Sequence, residues 1–135
     1  MAFEKRKPTE EEVKYLESFD VNCPYGPSSR FKEVYCDTDR NFYMFYIYGP
    51  GYEEEHLPMY FGIVWNDKPM ILGFYTYADG KPLDGLHVKW KLQSIKGNNN
   101  EYIPLNDEIR SIIKEALIVA NGRRSAKVLD HEFDF

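Results

Sequence analysis

The side chains able to do chemistry are few and scattered. Histidine occurs only at 56, 87 and 131, and cysteine only at 23 and 36. No two histidines are spaced to hold one metal from a single helix, and Cys23 and Cys36 form no Cys-x-x-Cys pair. His131-Glu132 opens like a zinc-protease motif, but no second histidine follows it. Asp37-Thr38-Asp39-Arg40-Asn41 carries the first liganding positions of a calcium loop. Phe42 stands where the turn glycine is required, however, and Tyr48 where the bidentate glutamate is required. A tight hairpin with side-chain-to-backbone bonds from Asp and Asn explains that segment better. Gly49-Pro50-Gly51 follows an apolar run, as a phosphate loop does, but Glu53-Glu54-Glu55 comes directly after and would repel phosphate. Neither a metal nor a cofactor is expected.

Nucleophilic catalysis needs a Ser or Cys beside a histidine and an orienting acid. Ser28, Ser29, Cys23 and Cys36 fall in or near loops, and none sits in a nucleophile elbow. His56, next to the glutamate run, reads more simply as a surface histidine than as an acid–base group. The basic clusters also have plain explanations. Lys89 and Lys91 alternate with Trp90, which puts the ring on the opposite face from the cations, and Arg123, Arg124 and Lys127 follow the end of a helix, where cations suit the dipole. The chain is therefore expected not to be an enzyme. The alternative is a small-ligand protein or enzyme with an aromatic pocket between a sheet and a helix, lined by His56 or His87.

The elements that must position these residues are legible. Thr9-Glu10-Glu11-Glu12 is a capping box, and Val13, Leu16 and Phe19 follow at helical spacing, so a short helix is predicted over about 9–19. Residues 22–29 are turn chemistry. From 30 to about 105, aromatic and β-branched runs at 31–36, 42–48, 57–65, 70–77, 86–95 and 102–105 are separated by short breaks rich in Gly, Pro, Asn and Asp. Short connections predict antiparallel hairpins. The runs at 42–48 and 70–77 are apolar on both faces and should lie centrally. In 86–95, Val88, Trp90 and Leu92 alternate with His87, Lys89, Lys91 and Gln93, giving one buried and one wet face.

A second helix is predicted from an Asn106 N-cap. Its apolar stripe is Ile109, Ile112, Ile113, Ala116, Leu117 and Ala120, and Asn121-Gly122 is the stop. At the end, Leu129, His131, Phe133 and Phe135 alternate with Asp130, Glu132 and Asp134. That period of two predicts an edge strand, the alternative being a frayed terminus. The composite is a single α+β domain over residues 1–135: a curved antiparallel β-meander of five to seven strands, an N-terminal helix and a C-terminal amphipathic helix packed on the sheet.

The chain has 135 residues, 16% of them aromatic, and a formal charge of -5. That balance argues against disorder and against a dedicated duplex-DNA or anionic-membrane binder. The opening residues lack a secretory h-region, and no apolar run approaches the ~20 residues of a membrane span, so a cytoplasmic protein with reduced thiols is expected. The charge is uneven: residues 1–60 hold 12 acids against 7 bases, while 61–135 hold 10 of each. Tyr48 and Tyr52 lead into Glu53–Glu55. Acid interleaved with tyrosine at a loop tip suits recognition of a basic partner; a solvated, solubilising face is the plainer alternative.

This profile resembles the immunity proteins of bacterial toxin–immunity pairs, such as those of contact-dependent growth inhibition. The residues that carry the resemblance are Tyr48-Gly49-Pro50-Gly51-Tyr52-Glu53-Glu54-Glu55 and the acidic alternation Asp130, Glu132 and Asp134. The resemblance implies a non-enzymatic protein that binds one cognate toxin domain, basic and a nuclease, and occludes its active site. Partner-binding positions are then expected at Tyr48, Tyr52, Glu53, Glu54, Glu55, Asp37, Asp39, Asp130, Glu132 and Asp134, with no nucleic acid or membrane as partner.

Overall fold

A computed structural model describes residues 3–19, 33–47, 58–81, 83–97, 105–120 and 127–135. The element order is β1 (Glu4–Arg6), α1 (Glu10–Glu17), β2 (Val34–Asp37), β3 (Phe42–Ile47), β4 (Pro58–Trp65), β5 (Lys68–Lys81), β6 (Gly85–Gly97), α2 (Asp107–Ala120) and β7 (Val128–Asp134), with a single 3-10 turn at Thr38–Arg40 between β2 and β3. The strands form one seven-stranded sheet in sequence order. Every neighbouring pair is antiparallel except β6 and β7, which run parallel. The fold is thus α+β, a curled, mostly antiparallel half-barrel with one helix from each end of the chain.

Local chemistry explains the boundaries. The Thr9 side chain accepts from the Glu12 amide and the Glu12 side chain accepts from the Thr9 amide, closing the capping box at the start of α1. The Asn106 side chain accepts from the Ile109 amide at 2.9 Å, so the predicted N-cap of α2 is in place. The β4–β5 hairpin turns through Asn66 and Asp67, both at positive φ (50° and 64°), the conformation a two-residue type I′ turn requires. The break expected across 79–85 is shorter than its composition suggests: β5 runs on to Lys81 and β6 starts at Gly85, with Gly80 and Gly85 at φ 107° and 136° absorbing the turn.

Each helix covers one face of the sheet. On the inner face, α2 buries Ile109, Ile112, Ile113, Ala116 and Leu117 against Phe42, Met44, Phe61, Ile63, Leu72, Phe74, Val88 and Trp90. Full burial of an Ile or Leu side chain stabilises by about 2 kcal/mol, so this stripe is the principal anchor of the helix. On the outer face, Leu16 of α1 packs with Val34, Cys36, Phe45 and Val64. Two covered faces explain why the sequence of β3 is apolar on both sides. Gly62 belongs to that outer layer: a Cβ there would lie 2.3 Å from the Phe45 ring, which therefore packs directly on the backbone of β4.

Three points differ from the sequence expectations. β1 is an extra strand, made of three charged residues with no apolar alternation. β7 is parallel to β6 because α2 carries the chain back across the sheet between them, and a crossover delivers a parallel neighbour. Leu86 pairs with Val128 and His87 with Asp130, so Leu129 is a bulge residue; it is 54% exposed and packs over Gly85 rather than joining His131, Phe133 and Phe135 on the inner side. The run predicted at 102–105 lies outside the described residues up to Leu105, as do the 22–29 turn and the Gly122 stop. Among the described residues no helix is long and apolar enough to cross a membrane.

Candidate functional site

The outer face of the sheet is covered by α1 over β2–β4. Beyond that it continues onto β5–β7, where the side chains are organised in three cross-strand rows. Register places Asp79 opposite His87 and His87 opposite Asp130. Tyr77 lies opposite Lys89, and Lys89 opposite Glu132. Tyr75 lies opposite Lys91, and Lys91 opposite Asp134. Each row therefore has a base on β6 and a carboxylate on β7. His87 Nδ1 and Asp130 Oδ1 are 2.6 Å apart, and Lys89 Nζ and Glu132 Oε2 are 4.0 Å apart. The β7 carboxylates stay accessible: the Asp130 and Glu132 side chains are 64% and 73% exposed. Exposed pairs of this kind contribute little stability, so the rows set local charge and register more than they hold the fold.

The opposite side of β7 is anchored. The Trp90 indole Nε1–H donates to His131 Nδ1 at 3.1 Å, and the His131 ring is stacked between Trp90 and Phe133. Accepting at Nδ1 requires the neutral imidazole with its proton on Nε2. Burial holds the His131 pKa below its ordinary 6.5, a shift that the nearby Asp130 charge only partly opposes. Phe135 lies against Phe74, with Lys114 of α2 over its ring at 5.5 Å. β7 thus has an aromatic inner side that fixes it and an acidic outer side that faces water. Its own far edge ends the sheet, since among the described residues β7 pairs with β6 alone.

The other expected binding residues divide. Tyr48, Tyr52, Glu53, Glu54 and Glu55 lie outside the described residues. Asp37 is 4% exposed and is used inside the fold. It accepts from the Asp39 amide at 3.1 Å and from Arg40 Nε at 2.7 Å. Burial alone would raise its pKa, but the Arg40 contacts hold it below the ordinary 3.8. Arg40 reaches on to Glu115 of α2 at 2.8 Å and lies over the Phe3 ring at 5.3 Å, so the turn ties β2, α2 and the segment before β1 together. Asp37 therefore presents no carboxylate at the surface. Asp39 is exposed on that turn, between β2 and β3, at the other end of the strand order from β7. The fold brings Asp130, Glu132 and Asp134 together and leaves Asp39 apart from them.

Sequence reasoning missed His87, Lys89, Lys91, Tyr75 and Tyr77 as parts of this surface. The signal was present, because β6 alternates base with apolar residue at the same period as β7 alternates acid with apolar residue. Pairing the two patterns needed the parallel neighbour that α2 supplies. His87, considered for a ligand pocket, sits on the exposed outer face, and the described space between sheet and α2 holds Trp90, Phe61, Phe74 and Ile113, none more than 1% exposed. Among the described residues no three His, Cys, Asp or Glu side chains group as metal ligands, and the buried Cys36 is a free thiol whose pKa burial pushes up. Comparison with protein-family profiles, with curated proteins and with solved structures finds no match, so the surface is interpreted from its own chemistry.

Proposed function

We propose that this protein is a non-enzymatic binding protein of the immunity type, which neutralises a cognate basic toxin domain by covering its active site. The observation that carries the reading is the exposed outer face of β5–β7, where four carboxylates (Asp79, Asp130, Glu132 and Asp134) accompany two lysines and His87, and Tyr75 and Tyr77 supply rigid contact area. A surface of that make-up steers a cation-rich partner and positions it through aromatic contacts. In a phosphate-cleaving toxin, the Lys and Arg side chains that hold the substrate are the groups such carboxylates would engage. Glu53, Glu54 and Glu55, with Tyr48 and Tyr52, belong to the same proposal as a second acidic–aromatic element.

Rescue is the direct test. The product of the adjacent reading frame is expressed alone and together with this chain. Growth inhibition that this chain relieves, with a complex that co-purifies, is the expected result. A harmless neighbour, or toxicity that this chain leaves unchanged, removes the reading. Replacing Glu53, Glu54 and Glu55 together by Gln should slow association with the toxin at low salt and flatten its salt dependence. Unchanged kinetics would remove that segment from the interface.

A further inference from the structure

Among the described residues β7 has no neighbour on its outer edge, and that edge carries a pattern that chooses one. Backbone N–H and C=O groups along the open side of an edge strand template a further strand, and proteins guard such edges with charge. On β7 the guard is placed with period two: Asp130, Glu132 and Asp134 face outward, while His131 and Phe133 face inward. Side chains of paired residues lie on the same face. A second copy of β7 that kept the faces matched, parallel or antiparallel, would therefore set carboxylates against carboxylates. Slipping by one residue to avoid this would turn the aromatic side to water. The edge repels its own copy, while among the described residues no strand pairs with its outer backbone groups.

The neighbour that β7 already has shows what the pattern accepts. β6 offers His87, Lys89 and Lys91 on the outer face and Val88 and Trp90 on the inner face, and its bases meet the β7 acids row by row. Across β6 and β7 the outer-face columns run base, then acid, so the next column that continues the complementarity is basic. We propose that the open edge of β7 binds an extended segment of a partner protein by strand addition. That segment has Lys or Arg at alternate positions and apolar residues between them, repeating on the far side of β7 the relation that β6 makes on the near side. The proposal rests on the binding-protein reading only for which protein supplies the segment.

The probe is a labelled peptide matched in length to β7, with lysine alternating with valine, titrated into the full chain by fluorescence anisotropy. Its controls are the same composition with the lysines contiguous, a glutamate–valine alternation, and the lysine–valine peptide N-methylated throughout, which keeps the charge and has no backbone donor. The alternating lysine peptide should bind about tenfold or more tighter than each control, the gain expected of three charge-matched rows plus the backbone ladder. Hydrogen exchange should slow at amides within Asp130–Asp134 and remain unchanged in β1, the other edge.

The D130N/E132Q/D134N chain should bind the alternating peptide no better than the contiguous one. Exchange in the unmodified chain supplies the same answer should that variant fail to fold. Equal binding of the contiguous or methylated peptide, protection at β1 instead of β7, or a dimer of the unmodified chain held through β7 would each overturn the proposal. The two readings separate cleanly: rescue without peptide binding retains the immunity function and discards the edge, whereas peptide binding without rescue does the reverse.

Discussion

The two ends of the outer sheet face use the same kinds of side chain for opposite ends. Over β2–β4, α1 closes the face. Arg6 makes two bonds to Glu12 (2.6 and 2.8 Å), and Glu12 also accepts from the Thr9 amide. The Tyr15 hydroxyl donates to Asp67 at 2.6 Å, and Tyr43 hydrogen-bonds Glu12. Shielded in this way, Glu12 is held down to a pKa of about 2, chiefly by the Arg6 bonds, while Tyr43 is pushed up to about 12 by burial and then by Glu12. Beyond Ile71 of β5, which still packs on the Leu16 cluster, neither helix covers the outer face of β5–β7, and acid–base rows of similar composition stand in water. Shielding is the difference. A partly buried, multiply bonded charge pair holds the fold, whereas an exposed one is screened and remains available to a partner.

The largest effects are expected where α1 closes the face. Leu16→Ala removes the apolar peg under α1 and should cost about 3 kcal/mol in urea unfolding, because the site is fully enclosed by β2–β4. A cost below about 1 kcal/mol would mean that α1 does not close this face. Arg6→Met should cost about 2 kcal/mol by leaving Glu12 charged and short of its partner.

The same pair makes a pH prediction. The folded-state pKa of Glu12 lies below its ordinary 4.5, so the unfolded chain binds the proton more readily. The stability it contributes is complete above about 4.5 and is lost as pH falls through about 2. In Arg6→Met that acid loss should be shallower, which denaturant midpoints measured at several pH values would resolve.

At the open end the expected effects are smaller. His131 is also depressed, so its contribution is complete above about 6.5 and is lost as pH falls below that value. Protonation of Nδ1 would sever the Trp90 bond, and the loss should be about 1 kcal/mol. His131→Phe should keep the stack and abolish that part of the pH dependence; a pH profile identical to that of the unmodified chain would assign the dependence elsewhere. Least of all, Lys89→Gln should change stability by less than about 0.5 kcal/mol, and any change should vanish in high salt, because its pair with Glu132 is long and exposed. A salt-independent cost above about 1 kcal/mol would show that the rows hold the fold, which would erase the contrast between the two ends.

Much of the scaffold was legible because it follows from local rules. Thr9 and Asn106 announce their helices by the side-chain bonds they make within one turn. The stripe from Ile109 to Leu117 is a direct consequence of helical period, and the burial of Trp90 follows from strand period. The candidate surface was only half legible. The acid alternation of β7 and the base alternation of β6 were each visible, but their union was not, since neither pattern states its neighbour. Asp37 illustrates the reverse error. In sequence it is an acid on a turn beside Asp39, and in the fold the Arg40 guanidinium folds back over it while Glu115 arrives from 75 residues away to complete the bridge.

By itself, then, the sequence determined the class of the fold, the order and extent of most elements, which faces they bury, and where carboxylates recur with period two. Those properties depend on interactions within a turn of helix or along a strand. The tertiary structure alone decided that Glu4–Arg6 becomes a strand, that β7 lies parallel to β6 with Leu129 bulged out, and that bases and acids meet in rows on a face that neither α1 nor α2 covers. These depend on which elements become neighbours, and that choice is made when α1 and α2 bury their apolar stripes on opposite sides of one curled sheet.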